Sequence, residues 1–243
     1  MARTSPAHWV GVIFILIAAL LLLITTISAP VIGDIAILKV TLTNSSVLRH
    51  SSVTFGTFGH CVLDVAPAQT DQDYCYPKHI GYQPATIMAQ IDGNGFNRVS
   101  ADTADGLTRV MILHPIACGV AFIAFLLSCG AGVVGSLLGF CVAALAWILT
   151  LVAMVVDFIL FGIIKDHVNS DGSGSHAFYS VGMWTILAAM ILLFFGMFIV
   201  LFTCFSARKE RRRGPSYKTN ADTYDGVNTT TTRTQRRRRF GLF

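Results

Sequence analysis

Two ionisable side chains lie inside long apolar stretches of this sequence, where an ionisable group is costly and usually has a partner. Asp157 is the only charged residue between Val110 and Ile164. It lies about two turns before Lys165, and His114 lies just over one turn after Arg109. If the two stretches are antiparallel helices, both side chains are at the same depth, and we expect them to pair. The pair is either a structural polar clasp or a pH-responsive contact, because histidine titrates near neutrality.

Two of the six cysteines, Cys61 and Cys75, lie in the polar region between the first two apolar stretches. If this region is outside the cell, a disulfide is the natural interpretation. Closing a loop of about 15 residues stabilises a fold by roughly 3 kcal/mol in the chain-entropy model. Two free thiols are the alternative. A metal site is less favoured, since no His/Cys quartet with ligand spacing surrounds the two cysteines.

A basic cluster directly follows the last apolar stretch. Near anionic lipid each of its residues gains roughly 1 kcal/mol, although simple topogenic charge explains the cluster equally. Cys204 lies just before it and is a candidate for palmitoylation, with a lipid-facing thiol as the alternative. The cluster consists of Arg208, Lys209, Arg211, Arg212 and Arg213.

The positions of the transmembrane helices can be predicted from the stretches of sequence that lack charged residues. The chain has 243 residues, of which 53% are hydrophobic and 13% charged, against about 25% charged in a soluble domain. A helix needs about 20 apolar residues to cross a bilayer. The middle apolar stretch is long enough for two crossings, so we expect four transmembrane helices. They are predicted at 9–29, 110–129, 135–164 and 178–205, with a short turn at 130–134.

Charge also predicts the orientation. The tail 206–243 holds 11 Lys/Arg and 3 Asp/Glu. The region 30–109 holds 5 Lys/Arg and 7 Asp/Glu. Basic excess belongs in the cytosol. The N-terminus 1–8 and the tail, which is expected to be disordered, are therefore predicted inside, with the loops 30–109 and 165–177 outside. We expect no cleavage of the first span, whose apolar core is longer than that of a signal peptide.

The large loop is predicted to fold. Residues 35–42 and 52–63 are rich in β-branched and aromatic residues, which is typical of strands. Gly56 and Gly59 indicate a bulge or a close backbone approach. Asn44 begins an Asn-Ser-Ser sequon on the expected outer side and is a candidate glycosylation site.

The spans favour a packed scaffold over a conduit or an enzyme. Small residues recur at spacings that let helices approach closely, in one bundle or at a homo-oligomer face; they are Gly135, Gly139 and Ala143, then Gly182, Ala189 and Gly196. We find no carboxylate chain, nucleophile–base set, metal motif or cofactor-binding loop. The net charge of +5 resides in the tail, which indicates anionic inner-leaflet lipid or cytosolic partners, and nucleic acid is a poor candidate.

Several segments together resemble the fungal PalI and eisosome-tetraspan family, and most closely its PalI branch of pH-response regulators. They are FGTFGHC at 55–61 with Cys75 after it, KHIGYQPA at 78–85, LHPIACGVAFIAFLL at 113–127 and DFILF at 157–161. The glycine–cysteine pattern is similar to that of claudins, although Phe55 stands where claudin-like patterns often have Trp. The resemblance covers about residues 1–205.

The resemblance implies a mainly α membrane protein, a claudin-like four-helix bundle bearing a small extracellular β-sheet with the disulfide inside it. It also implies a plasma-membrane role without catalysis, assisting a seven-span ambient-pH receptor. The alternative that it implies is a structural tetraspan that organises furrow-like plasma-membrane domains and affects the cell wall. A channel or transporter is a weaker alternative from the residues themselves.

Overall fold

The computed structural model describes residues 6–43, 51–64, 73–76, 81–92, 95, 97–130 and 133–212. Four long helices form a bundle, and a five-stranded antiparallel sheet lies at one end of it. The helices and strands in chain order are α1 Pro6–Thr26, β1 Leu38–Thr41, β2 Ser52–Phe55, β3 His60–Leu63, β4 Tyr74–Cys75, α2 Pro84–Asp92, α3 Arg98–Thr108, α4 Leu113–Cys129, α5 Val133–Ser170, β5 His176–Tyr179 and α6 Val181–Arg212. This confirms the predicted fold class.

Four helices are long and apolar enough to cross a membrane. They occupy Pro6–Thr26, Ser100–Cys129, Gly135–Ser170 and Val181–Ser206. Helix α1 packs against α6 and α4, and α5 packs against α4 and α6. Each long helix therefore has two neighbours, as in a square bundle.

The second and third long segments extend further toward the sheet than the sequence alone indicated. Helix α3 and a 3-10 turn at Arg109–Ile112 lead directly into α4. Helix α5 has 38 residues, about 57 Å at 1.5 Å per residue, against a hydrocarbon core of about 30 Å. The excess length of α5 supplies Phe161, Ile164 and Val168 to the core beneath the sheet.

The sheet joins the two loops at this end of the bundle. Its strand order is β4-β3-β2-β1-β5, and every pairing is antiparallel. The predicted strand at 52–63 is two strands that reverse at 56–59, and β1 lies within the predicted strand 35–42. Strand β5 comes from the short loop after α5 and pairs with β1, with Leu38 opposite Tyr179. Sequence reasoning predicted neither β5 nor helices α2 and α3.

Two hydrophobic clusters stabilise the molecule. One lies beneath the sheet and is built from large side chains of the strands, of α2 and of the sheet end of α5. The other fills the bundle and is rich in alanine, which allows close helix contact. Gly11 of α1 and Gly196 of α6 face each other, and a Cβ on either would lie 3.1 Å from the carbonyl oxygen of the other. Gly196 thus serves packing between α6 and α1 inside the bundle, whereas Gly182 of α6 closely approaches the backbone of Ala36 before β1.

Gly56, in the turn between β2 and β3, closely approaches the turn that follows α1. A Cβ at this position would collide with the backbone oxygen of Ala29 and lie 2.6 Å from its nitrogen. A Cβ at Gly59 would lie 3.2 Å from the ring carbon Cγ of Pro30, so the backbone at Gly59 also approaches this turn closely. The close backbone approach predicted from these two glycines is confirmed.

We predict that Gly56→Ala lowers the free energy of unfolding by about 1–3 kcal/mol, the usual cost of overpacking a rigid site. Gly106→Ala is the matched control, since nothing lies within 4 Å of a Cβ at Gly106 in α3. Thermal unfolding of both variants in detergent micelles measures the difference. Equal stability of the two variants would contradict the contact between Gly56 and Ala29.

Candidate functional site

The candidate site is a buried contact between α4 and α5. His114 is in the first turn of α4, and Asp157 is in the sheet half of α5; their side chains are 1% and 0% exposed. The Nε2 atom of His114 lies 2.9 Å from Oδ2 of Asp157. The structure therefore brings together the two side chains that the sequence singled out.

Hydrogen-bond geometry fixes how many protons this contact holds. The Nδ1 atom of His114 lies 3.0 Å from the carbonyl oxygen of Met111. A carbonyl only accepts, so Nδ1 carries a hydrogen and donates it. A hydrogen must also lie between Nε2 and Oδ2, on the imidazole ring or on the carboxyl group. In both arrangements the pair is neutral as a whole, which suits a site without water.

Losing that shared proton breaks one of the two contacts of His114. If Nδ1 keeps its hydrogen, the bare Nε2 faces a carboxylate oxygen. If the hydrogen moves to Nε2, the bare Nδ1 faces the carbonyl of Met111. Met111 belongs to the 3-10 turn that joins α3 to α4, so His114 connects this turn to Asp157 of α5.

Tyr82 lies between the pair and the sheet. Its hydroxyl donates to the carbonyl oxygen of Gly56 at 2.9 Å, and its ring stacks on Phe55 with centroids 6.4 Å apart. Burial, followed by the negative charge of Asp157, raises the pKa of Tyr82, so the phenol stays protonated. Oδ1 of Asp157 is buried and has no hydrogen-bond partner in the described part of the chain.

A second histidine holds the opposite end of the bundle. Nε2 of His8 in α1 lies 3.1 Å from the carbonyl oxygen of Ser128 in α4, and Nδ1 lies 3.3 Å from Oγ1 of Thr203 in α6. His8 thus links three helices. Sequence reasoning missed it, because His8 was assigned to the N-terminal segment before the first span. Its position next to the uncharged stretch that starts at Trp9 was the available signal.

The disulfide predicted from the two loop cysteines is confirmed. Cys61 of β3 and Cys75 of β4 are bonded and stand opposite each other in the sheet. The bond joins the two-residue strand β4 to β3. It also places Tyr74 and Tyr76 at the sheet edge, where the ring of Tyr76 stacks on His60 at 4.3 Å.

The remaining predicted sites lie near or beyond the limits of the described residues. Cys204 is 6% exposed, so its thiol must leave this packing before it can be acylated, and palmitoylation stays a prediction. The backbone of α6 is helical through Arg208, Lys209, Arg211 and Arg212, at the end of the helix remote from the sheet. Arg213 and the sequon residue Asn44 lie outside the described residues.

The chemistry of the site is that of a proton-holding contact. In the described ranges, no group of three or more His, Cys, Asp or Glu side chains could hold a metal ion. The one hydrogen-bonded ion pair found there is His114 with Asp157, and it is closed to solvent. Such a pair can take up or release a proton and can change the packing around it.

Comparison with known proteins agrees with this architecture. A family model described as the SUR7/PalI family matches residues 7–208. The pH-response regulator protein palI/RIM9 of Pyricularia oryzae is 30% identical over 148 residues, which are 58% of this chain and 18% of that relative. The aligned part is thus less than a fifth of the relative's length. The four apolar helices and this relationship make the chain a multi-pass membrane protein. Because the family model covers most of its length, the chain belongs to the SUR7/PalI family.

Proposed function

We propose that this protein is a non-catalytic component of ambient-pH sensing in the plasma membrane, where it assists a seven-span pH receptor. The observation that carries the proposal is the buried contact of His114 with Asp157, which holds one exchangeable proton. The relative named as a pH-response regulator supports the same role. Membership of the SUR7/PalI family, whose description includes PalI, supports the same role.

The proposed orientation places both termini in the cytosol and the sheet outside the cell. The disulfide at the sheet end supports this orientation, because disulfides persist in oxidising compartments. The basic cluster supports it from the other side, since α6 starts next to the sheet and carries the cluster at its far end. The pair then lies nearer the outer surface, as a sensor of external pH requires.

The proposed mechanism is that alkaline conditions remove the shared proton. The described ionisable groups around it are His114 of α4, Asp157 of α5 and the phenol of Tyr82, and the phenol stays neutral. Once the proton is lost, His114 can no longer donate to Met111 and to Asp157 together. The joint between α3 and α4 is then released, and α3 packs on α5 beneath the sheet. This release changes the packing of the domain that contains the sheet, and a receptor bound to that domain can respond to the change.

We predict that His114→Gln and Asp157→Asn each lower the free energy of unfolding by about 3–5 kcal/mol at pH 6, as expected when one partner of a buried pair is removed. The loss of unfolding free energy in the double variant should be smaller than the sum of the losses in the two single variants. The difference is a coupling energy of about 0.5–3 kcal/mol. At pH 9 the coupling should shrink, since the shared proton is then lost. Thermal unfolding of the four proteins in lipid nanodiscs at both pH values provides the measurement.

The matched control is a cycle of Asp157→Asn with Thr150→Val. Thr150 is also buried in α5, but its hydroxyl bonds only to the carbonyl of Ala146 one turn earlier. In this cycle the losses of unfolding free energy in the two single variants should add up to the loss in the double variant at both pH values. Additive losses in the His114–Asp157 cycle, or a coupling energy independent of pH, would show that the pair does not respond to pH.

In cells, we predict that deletion of the gene impairs growth at alkaline pH and leaves the transcription factor of the pathway unprocessed. Re-expression of the wild type or of Thr150→Val should restore both, whereas the His114→Gln, Asp157→Asn double variant should not, although it reaches the membrane. Plating and immunoblotting at pH 5 and pH 8 measure the outcome. Rescue by the double variant would show that the protein acts in the pathway without the contact between His114 and Asp157.

A structural role in plasma-membrane domains is the second candidate. The family model covers both the SUR7 and the PalI names, and the close contact of Gly11 with Gly196 suits a rigid scaffold. Normal alkaline growth of the deletion strain with disordered membrane patches would favour this role. Cross-linking the protein at the plasma membrane and identifying its partner distinguishes a receptor from a second copy of this chain.

A further inference from the structure

An open cavity of about 470 Å³ lies between the sheet edge and α2. This size is within the range of small-molecule sites in proteins. One wall is formed by β3 and β4, which the disulfide holds together. The other wall is formed by Gln83 and by the face of α2 that carries Thr86 and Gln90. The cavity is separate from the buried pair, and its occupant is not determined by the proposed pH function.

The sheet wall is aromatic. The ring of Tyr76 stacks on His60 at 4.3 Å, and the ring of Tyr74 meets Tyr76 edge-on at 5.4 Å. Tyr74 and Tyr76 are nevertheless 39% and 46% exposed, so each has ring surface free for a ligand. Burial, followed by the hydrogen bond and charge of Tyr76, raises the pKa of Tyr74, and its phenol is therefore neutral at physiological pH.

The helix wall supplies neutral hydrogen-bonding groups. Gln83, Thr86 and Gln90 line the cavity; Thr86 and Gln90 are four residues apart on one face of α2, and Gln83 directly precedes the helix. Each amide offers both donors and an acceptor, and the threonine hydroxyl does both. Among the described lining residues, none is Asp, Glu, Lys or Arg, so the described walls offer neutral hydrogen-bonding groups and aromatic rings.

We propose that this cavity binds a neutral carbohydrate, one or two hexose units at the end of a glycan. The exposed rings of Tyr74 and Tyr76 stack against the C–H face of a sugar, and the amides and hydroxyl of the helix wall pair with its hydroxyl groups. An aromatic cage for a quaternary ammonium would need rings that surround the cation. Here His60 and Tyr76 are nearly parallel, with an interplanar angle of 21°, and stack on each other.

The test uses the purified full chain in lipid nanodiscs. Binding of neutral trisaccharides of β-linked glucose, α-linked mannose and β-linked N-acetylglucosamine is measured by saturation-transfer NMR and titration. A hexose-sized polar ligand should bind with a dissociation constant of roughly 1 mM. The preferred trisaccharide identifies the source of the glycan, a wall polysaccharide or a protein-linked chain. Tetramethylammonium serves as the competing probe.

Variants locate the site. Tyr76→Ala should weaken sugar binding about tenfold or more, and Tyr76→Phe should retain most of it, because the ring surface remains. Phe178→Ala is the matched control, since Phe178 is a 45% exposed aromatic side chain on β5 at the opposite sheet edge. It should bind sugar like the wild type. Thermal unfolding of each variant shows that the fold is retained.

Three results would overturn the proposal. They are the absence of saturable binding by all three sugars, equal binding by Tyr76→Ala and the wild type, and tetramethylammonium binding without sugar binding. The pH role is tested separately by the His114–Asp157 cycle, so either idea can fail alone. If Tyr76→Ala does not fold, Gln90→Leu replaces it, and unchanged sugar binding by that variant also overturns the proposal.

Discussion

The structure depends on the rule that a polar group in the hydrocarbon region must find its partner within the protein. The threonines of the long helices obey it locally. Thr25, Thr150 and Thr203 donate to backbone carbonyls three or four residues earlier in their own helices. The histidines cannot do so alone, because each ring has two nitrogens that point in different directions. They therefore join helices, and they do so at both ends of the bundle.

The two ends are consequently held by different means. At the end remote from the sheet, His8 joins α1, α4 and α6 through neutral oxygen atoms. At the sheet end, His114 meets a carboxyl group, so a proton is part of the contact. Small residues hold the middle, where Gly11 and Gly196 let α1 and α6 approach. The proton-dependent contact thus lies at the sheet end, and the contacts described for the rest of the bundle contain no ionised partner.

Much of this arrangement could be predicted from the sequence because the underlying constraints are local or one-dimensional. Uncharged stretches give the spans, and helical rise places His114 and Asp157 at one depth. Strand β5 escaped prediction because four residues, HAFY, carry no period that distinguishes a strand from a loop; they become a strand only because β1 is beside them. His8 escaped because its partners are 120 and 195 residues away, and no local pattern indicates them.

The aromatic cavity could not be predicted from the sequence either, because it also depends on contacts between residues that are distant in the chain. Tyr74 and Tyr76 occur in a segment without a clear period, and the disulfide and the pairing of β4 with β3 fix them at the cavity that α2 also lines. Tyr82 belongs to two environments at once. It lines the cavity, while its hydroxyl holds Gly56 and its ring lies close enough to Asp157 to feel the carboxylate charge. Tyr82 is therefore a side chain that both lines the cavity and lies within the electrostatic range of the buried pair. Met111 and Tyr82 both belong to the core beneath the sheet, so any movement of the joint at Met111 must either displace its neighbours in this core or open a gap there, and in a packed core both are costly.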